Sequence, residues 1–266
     1  MRSLRIASCM AENTEDFCRA IVEYLRLKLD VPAEYITGIP WQEREALFDR
    51  GEIHVLWLCG LPYVYKADLA ESSMELLAVP IPVGERYGSR PVYFSDIVVR
   101  RNSTCRSFQN LRGATWAYNE PRSHSGFNIV RAHLFKLGEI DKFFAAAVES
   151  GAHSNSLQMV LSGAVDGAAI DSTVLEWLFS QRHDLADEIR VIDTLGPSPI
   201  PPWVISRHVA ASQRHALRQL LAELHLDPIG RDILADGRLL GFTAAGDHHY
   251  DPIRAMAYKA ERVSLV

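Results

Sequence analysis

The sequence has little of what defines several large classes of protein. Its 266 residues include four cysteines, Cys9, Cys18, Cys59 and Cys105, with no CxxC pair and no histidine at metal-ligand spacing. We therefore predict that they are small buried hydrophobic residues, which do not define a redox compartment. No stretch approaches the roughly 20 apolar residues of a membrane span. The sequence thus predicts no membrane insertion and no metal centre.

Basic charge is also scarce. The formal net charge is -5, and the 28 Lys and Arg residues are scattered along the chain rather than clustered. This distribution argues against nucleic acid as a partner. The chain has no P-loop, no dinucleotide fingerprint and no G-x-S-x-G elbow, so we expect no cofactor. The N-terminal apolar run is too short for a secretory signal, which leaves two expectations open: a periplasmic protein whose leader has been removed, or a cytoplasmic protein.

Short apolar runs alternate with amphipathic stretches along most of the chain. "LRIASCM" reads as a buried strand, "NTEDFCRAIVEYLRLKL" as a helix and "IHVLWLCG" as another buried strand. Such alternation is typical of doubly wound α/β folds. A longer alternating strand at 93–99 and another near 203–206 mark two crossings between lobes. We predict two α/β lobes, residues 1–97 plus 204–266 and residues 98–203, joined at a hinge. Within the second lobe, "DKFFAAAVES" is predicted to be helical.

Three loops of the second lobe are built alike, each with small polar residues directly before a helix. These are "SHSG" (Ser123, His124, Ser125, Gly126), "HSN" beginning at His153 and "DST" beginning at Asp171. The carboxyl ends of parallel strands lie along one edge of a sheet, so we expect the loops to converge there. Helix N-termini and hydroxyls favour anions, although Ser and Asn are also ordinary helix caps. Their convergence predicts an anion site.

Several segments resemble the phosphate and phosphonate substrate-binding proteins of ABC transporters. "NEPRSHSGFNIVRAHL" is similar to the Ser-Thr-Ser-Gly anion loop of that family, and "GAHSNSLQMVLSGAVDGAAIDSTVLEWL" to its segment between a Gly-Ser-His and an Asp-rich strand end. "SRPVYFSDIVVRRNS" and "PIPPWVIS" resemble its two interlobe strands. The resemblance covers most of residues 50 to 260. It implies the type II periplasmic-binding-protein fold.

The resemblance also implies roles for individual residues. Ser123, His124 and Ser125 would surround the anion with hydroxyls and main-chain N–H groups, and Gly126 would allow close approach. The resemblance further implies that three other residues donate hydrogen bonds to the same anion: Tyr93, Tyr63 and His153.

Three positions leave alternatives open. His124 replaces the usual Thr of the family and could carry a switchable charge or point to solvent. Asp171 could accept a proton from the ligand or cap its helix. Trp203 could form an apolar or aromatic pocket wall or pack at the hinge. Family members that bind aminoalkyl phosphonates place acids where this chain has Thr173 and Pro201, which argues against an aminophosphonate.

Two other readings compete with this one. "GDHHYD" contains His248, His249 and Asp251, but a third cluster of ligands is lacking, so a solvated loop is favoured over a metal site. The fold also occurs in enzymes, and the chain could resemble the menaquinone-pathway dehydratases or the pyrimidine synthases of thiamine biosynthesis. His153, Asp171 or His124 would then transfer protons on a small organic acid or pyrimidine precursor.

The preferred hypothesis is a solute-binding protein without enzymatic activity. It would close over a small oxyanion such as phosphate, phosphite or a phosphonate. Its partner would be an ABC permease, or a sensor if the protein stays inside the cell.

Overall fold

The computed structural model describes residues 3–266. The strands in chain order are β1 (Leu4–Ser8), β2 (Ala33–Tyr35), β3 (Val55–Trp57), β4 (Met74–Pro82), β5 (Val92–Arg100), β6 (Thr115–Tyr118), β7 (Ala146–Glu149), β8 (Gly167–Asp171), β9 (Ile189–Pro199), β10 (Trp203–Ser206) and β11 (Leu239–Thr243). The helices are α1 (Glu15–Leu29), α2 (Trp41–Asp49), α3 (Gly60–Ala67), α4 (Ile129–Lys136), α5 (His153–Ser162), α6 (Ser172–Gln181), α7 (Leu185–Glu188), α8 (Ala211–Ala222), α9 (Pro228–Asp236) and α10 (Asp251–Ala260). None of these helices has the length and apolar character that a bilayer crossing requires.

The chain forms two compact units. The first contains residues 1–92 and 199–250, and the second contains residues 93–198 and 251–266. The chain therefore passes between the units three times, after residues 92, 198 and 250. The two predicted α/β lobes are confirmed, and each unit has its own sheet and core.

The first unit is built on a six-stranded mixed sheet in the order β11-β4-β10-β3-β1-β2. Strand β1 runs parallel to β2 and β3, whereas β10 runs antiparallel to both β3 and β4. Helix α1 packs on this sheet through a continuous apolar face that includes Phe17, Ile21 and Leu25. The spacing of four residues between these side chains places them on one side of the helix, as the sequence predicted.

The second unit has a five-stranded sheet in the order β7-β6-β8-β5-β9. Strand β6 runs parallel to β7 and β8, and β5 runs antiparallel to β8. Its core contains a group of stacked aromatic rings, in which Phe144 lies 4.6 Å from Trp116 and Phe143 lies 5.3 Å from Phe108 between ring centroids.

The structure corrects the predicted boundaries. The chain changes unit after residues 92 and 198 rather than after 97 and 203, and the C-terminal segment changes unit as well. We assigned residues 251–266 to the first lobe, but they belong to the second unit, where α10 packs against α4. Val263 and Leu265 are buried in the second core. The Phe144 N–H donates to the Leu265 carbonyl at 3.0 Å, and Arg131 Nε donates to the Val263 carbonyl at 2.7 Å. These contacts hold the C-terminal segment on the core of the second unit, where its apolar side chains are buried.

A second correction concerns the predicted helix "DKFFAAAVES". Residues Ala146–Glu149 instead form β7, which pairs in parallel with β6 from Thr115 to Tyr118. Alanine favours helices in isolation, but the free edge of β6 offers a full set of backbone partners that overrides this weak preference.

Candidate functional site

Three strand-to-helix junctions of the second unit lie at one edge of its sheet. Strand β6 leads to the SHSG loop, β7 leads to His153 at the start of α5, and β8 leads from Asp171 directly into α6. Because β6, β7 and β8 are mutually parallel, their carboxyl ends share one edge. The structure therefore brings together three polar loops that are up to about fifty residues apart in sequence.

The SHSG loop closes as a wide helical turn. Residues His124–Asn128 form a single π-turn that continues into α4, and Ser123 caps it by accepting the Gly126 N–H at 3.0 Å. The first main-chain bond back along the turn joins the Asn128 N–H to the Ser123 carbonyl at 3.0 Å. The N–H groups of His124 and Ser125 lie in the first turn, ahead of the residues whose N–H groups bond back along the helix, as is general at helix N-termini. This turn concentrates N–H donors in the manner expected for an anion loop.

Gly126 is required by close packing. A Cβ atom at this position would lie 2.0 Å from Asn119 Oδ1 and 3.3 Å from His153 Cε1. The backbone of Gly126 is not left-handed, so the restriction is steric. The glycine allows the π-turn to approach both Asn119 and α5.

Ser125 and His153 link the first two loops. Ser125 Oγ lies 3.0 Å from His153 Nε2, and both side chains are buried. Burial lowers the pKa of His153 to about 4, against a small opposing effect of the Ala169 backbone. The pair is therefore neutral at physiological pH, and it presents uncharged hydrogen-bonding groups at the sheet edge.

The Ser125–His153 pair resembles the nucleophile and base of a hydrolase in its distance alone. Such a pair needs a third group that orients the imidazole through its other nitrogen. In the described part of the chain, no side chain accepts a hydrogen bond from His153 Nδ1.

His124 satisfies neither of the alternatives proposed from the sequence. The side chain is fully buried rather than solvent-exposed, and burial lowers its pKa to about 3, so it carries no switchable charge at physiological pH. Asn128 Nδ2 donates to its Nδ1 at 3.1 Å, which places the proton on Nε2. Nε2 then donates to Ser198 Oγ at 2.9 Å. His124 thereby ties the SHSG loop to the end of β9.

Asp171 is a helix cap in this structure. Its Oδ1 accepts the Thr173 N–H at 2.8 Å and the Thr173 hydroxyl at 2.7 Å. Burial raises the pKa of Asp171 to about 6, while the bonds from Thr173 act in the opposite direction. The capping alternative is thus realised, and the Asp171 carboxyl group lies at the same sheet edge as the SHSG loop and His153.

Tyr93 is the remaining candidate in the second unit. It lies on β5, is buried, and its ring centroid is 6.4 Å from that of His124. Its neighbour Phe94 donates its N–H to Ser172 Oγ at 3.1 Å, which holds this end of β5 against the start of α6. Tyr93 therefore lies beside the SHSG loop, and its role as a hydrogen-bond donor to the ligand stays a prediction.

Tyr63 and Trp203 belong to the first unit. Tyr63 on α3 donates its hydroxyl to Asp247 Oδ1 at 2.7 Å and packs against Tyr250, with ring centroids 4.5 Å apart. Trp203 on β10 is fully buried among aromatic side chains, 5.4 Å from Trp57 and 5.8 Å from Phe242 between centroids. Trp203 therefore has the packing role, whereas the ligand role of Tyr63 stays a prediction.

The "GDHHYD" segment forms a 3-10 turn at Asp247–Tyr250 followed by α10. Its Asp247 is engaged by Tyr63, and the His249 ring packs edge-on against Tyr250. Among residues 3–266, three or more His, Cys, Asp or Glu side chains nowhere converge as possible metal ligands.

Sequence reasoning missed residues that support the site from a distance. Asn128 and Ser198 fix the His124 ring, and Asn119 packs against Gly126. Asn128 is four residues after His124, so helical spacing could have indicated it. Ser198 is 74 residues away, and only the pairing of tertiary elements reveals it.

A protein-family model agrees with this geometry. The model describes the periplasmic substrate-binding protein of phosphonate ABC transporters, and it matches residues 8–250. The chain belongs to this family. Its members are substrate-binding components rather than enzymes, they are periplasmic, and they act with a small-molecule ligand and an ABC permease.

Solved structures show the same fold. PhnD1 from Prochlorococcus marinus, in complex with methylphosphonate, superposes with a TM-score of 0.85 at 19% identity, covering 98% of this chain and 99% of that one. A binding-protein component of a phosphonate ABC transporter from Pseudomonas aeruginosa gives 0.84 at 17% identity, covering 97% and 86%. The periplasmic aliphatic sulphonate binding protein SsuA from Escherichia coli gives 0.62 at 14% identity, covering 99% and 80%. These likenesses confirm the type II periplasmic-binding-protein fold.

Proposed function

We propose that this chain binds a small phosphonate-type oxyanion, with methylphosphonate as the reference ligand, and delivers it to an ABC permease from the periplasm. The observation that carries the proposal is the buried Ser125–His153 pair beside the tightly packed Gly126. Membership of the phosphonate-transporter family and the methylphosphonate held by the relative PhnD1 support the choice of ligand class.

The donors at this edge are suited to an oxyanion although they are neutral. The hydrogen bonds of Ser123, Ser125 and His153 join uncharged groups, so folding keeps them ordered without a buried cation. A hydrogen bond to a charged partner contributes about 1.5–3 kcal/mol, roughly twice that of a neutral pair. Several fixed donors of this kind replace the water around an anion.

The protonation states favour a singly charged ligand form. Asp171 at the same edge has a pKa raised to about 6, so above that pH it is mainly a carboxylate. A carboxylate repels a dianion but accepts a hydrogen bond from a protonated phosphonate oxygen. The expected optimum for binding therefore lies where the ligand keeps one acidic proton.

Calorimetric titration tests the proposal directly. Methylphosphonate, phosphate, phosphite, 2-aminoethylphosphonate, sulfate and acetate should be titrated into the wild type and into Ser125→Ala. We expect methylphosphonate or a close phosphorus oxyanion to bind the wild type, at least about tenfold more tightly than it binds the variant. Ser162→Ala is a matched control, because that hydroxyl is exposed and bonds only to the Met159 carbonyl. Binding of acetate alone would contradict the proposal.

A further inference from the structure

Three arginines lie together at the other end of the second unit's sheet. Arg101 directly follows β5, Arg190 is the second residue of β9, and Arg106 lies in the loop after β5. The Arg101 N–H donates to the Glu188 carbonyl at 2.7 Å, which joins the end of β5 to the start of β9. We call Arg101, Arg106 and Arg190 the arginine cluster.

The guanidinium groups of two of these arginines are held by carbonyl oxygens. Arg190 Nη2 donates to the Arg101 carbonyl at 2.6 Å. Arg106 Nη1 donates to the carbonyls of Ser103 and Cys105. Within residues 3–266, none of the three arginines forms an ion pair, and Arg190 Nη1 is buried without an acceptor. The cluster therefore has fixed donors and uncompensated positive charge.

Two acidic side chains just before β9 are engaged by another arginine. Arg182 pairs with Asp184 at 2.9 Å and with Glu188 at 2.5 Å. Burial and the charges of Arg106 and Arg101 lower the pKa of Arg190, whereas no acidic group contributes to that shift. The positive charges thus repel one another, and a bound anion would relieve this repulsion.

The arginine cluster is separate from the site at the carboxyl ends of β6, β7 and β8. Asp171 at that edge is the register partner of Ser95 on β5, and Arg100 is five residues farther along the same strand. A strand rises about 3.3 Å per residue, so the cluster begins roughly 17 Å from that edge.

We propose that the arginine cluster is a second oxyanion site, which binds a phosphate group bearing two or more negative charges. The planar guanidinium group offers paired N–H donors that match two oxygens of a phosphate. The exposed side chains of Arg101 and Arg106 supply donors that a phosphate group can reach, and Arg190 adds to the positive charge around it. The phosphate group comes either from a free polyanion or from an anionic lipid headgroup.

Calorimetric titration with inorganic pyrophosphate at low ionic strength tests this site. The Ser125→Ala background disables the first site, so a failure of the proposed phosphonate function does not affect the result. We expect one binding event, weakened about tenfold by Arg190→Gln and also by Arg101→Gln, which keeps the backbone carbonyl that Arg190 needs. Arg26→Gln is the matched control, because Arg26 is an exposed arginine of the first unit that pairs with Glu23, and its loss should leave pyrophosphate affinity unchanged.

Vesicle flotation distinguishes the two sources of the phosphate group. Retention of the protein by phosphatidylglycerol vesicles but not by pure phosphatidylcholine vesicles, with loss in Arg190→Gln, assigns a lipid headgroup. Pyrophosphate binding without retention on vesicles assigns a free polyanion. Absence of both kinds of binding, or binding that is equally strong in Arg190→Gln and Arg101→Gln, overturns the proposal.

Discussion

The two ends of the second unit's sheet differ in the kind of hydrogen-bond donor they carry. At the carboxyl ends of the parallel strands, Ser125 and His153 are buried and uncharged. At the other end, Arg101 and Arg106 are exposed and charged. Buried neutral donors act only at short range, so they select a ligand by its shape and by the position of its oxygens. Exposed cations act at longer range and are screened by salt.

The comparison also shows how each end keeps its donors in place. His124 Nε2 and Asn128 Nδ2 form a chain of side-chain hydrogen bonds to Ser198, which fixes the SHSG loop before any ligand arrives. Arg190 instead bonds to a main-chain carbonyl and retains one unused donor. For the two proposed sites, we expect preorganisation to lower the conformational cost of binding at the first end more than at the second.

The largest effect is expected from Gly126→Ala. This substitution changes the SHSG loop at the sheet end that carries the uncharged donors, which we call the neutral end. The added methyl group would collide with Asn119 Oδ1 at 2.0 Å, so the π-turn must move. We expect methylphosphonate binding to fall below detection in calorimetric titration. The double variant Gly126→Ala/Asn119→Ala removes the colliding oxygen and should recover part of the affinity. Equal loss in both variants would show that the Asn119 contact does not set the position of the turn.

Ser125→Ala should have the next largest effect, because it removes one donor and leaves the loop backbone intact. Besides the loss of affinity, His153 Nε2 would lose its partner within a buried site. An unsatisfied buried polar group costs about 1–3 kcal/mol of the free energy of unfolding. Urea unfolding should therefore show a destabilised variant, and Ser125→Thr should restore part of that free energy. An unchanged free energy would mean that the Ser125–His153 bond adds no stability.

Acidification should lower the folding stability of the second unit through the buried histidines His124 and His153. The ordinary histidine pKa is 6.5, and burial lowers the values for His124 and His153 to about 3 and about 4. Their contribution to stability is complete above pH 6.5 and is lost as the pH falls from 6.5 toward those values, because the unfolded chain then binds more protons. Asp171, with a pKa raised to about 6, has the opposite dependence: its contribution is complete below about 3.8 and is lost as the pH rises through about 6.

Thermal unfolding of the wild type and His124→Asn at pH 7 and pH 5 measures this dependence. Between pH 7 and pH 5, the melting temperature of the wild type should fall further than that of the variant, since the variant lacks one buried neutral imidazole. Parallel losses in the two proteins would show that His124 does not contribute to the pH dependence.

The smallest effect is expected from salt at the neutral end. Methylphosphonate affinity should change by less than about threefold between low and physiological ionic strength, because the hydrogen-bond donors around it are buried and uncharged. Pyrophosphate affinity at the arginine cluster should fall by about tenfold over the same range. Titration of both anions at two salt concentrations compares the ends within one protein, and equal salt sensitivity would remove the distinction between them.

Much of this organisation was predictable from the sequence because it rests on local patterns. The apolar spacing of α1 and the small polar residues before α4, α5 and α6 identified the elements and the sheet edge. The position of β7 was not predictable, since alanine-rich "AAVE" pairs with β6 only through tertiary contact. The state of His124 depends on Ser198 and on complete burial, neither of which has a local signal. The same holds for Arg190 on β9, whose neighbours Arg101 and Arg106 lie in the segment after β5.

The packing of residues 251–266 in the second core has a consequence for the order of synthesis. On the ribosome, every residue that the first unit requires has been translated once Tyr250 is added. The second unit must wait for Val263 and Leu265, although most of its strands were made much earlier. Its nascent sheet therefore lacks part of its apolar cover until late in translation. Removal of residues 261–266 should therefore destabilise the second unit and spare the first.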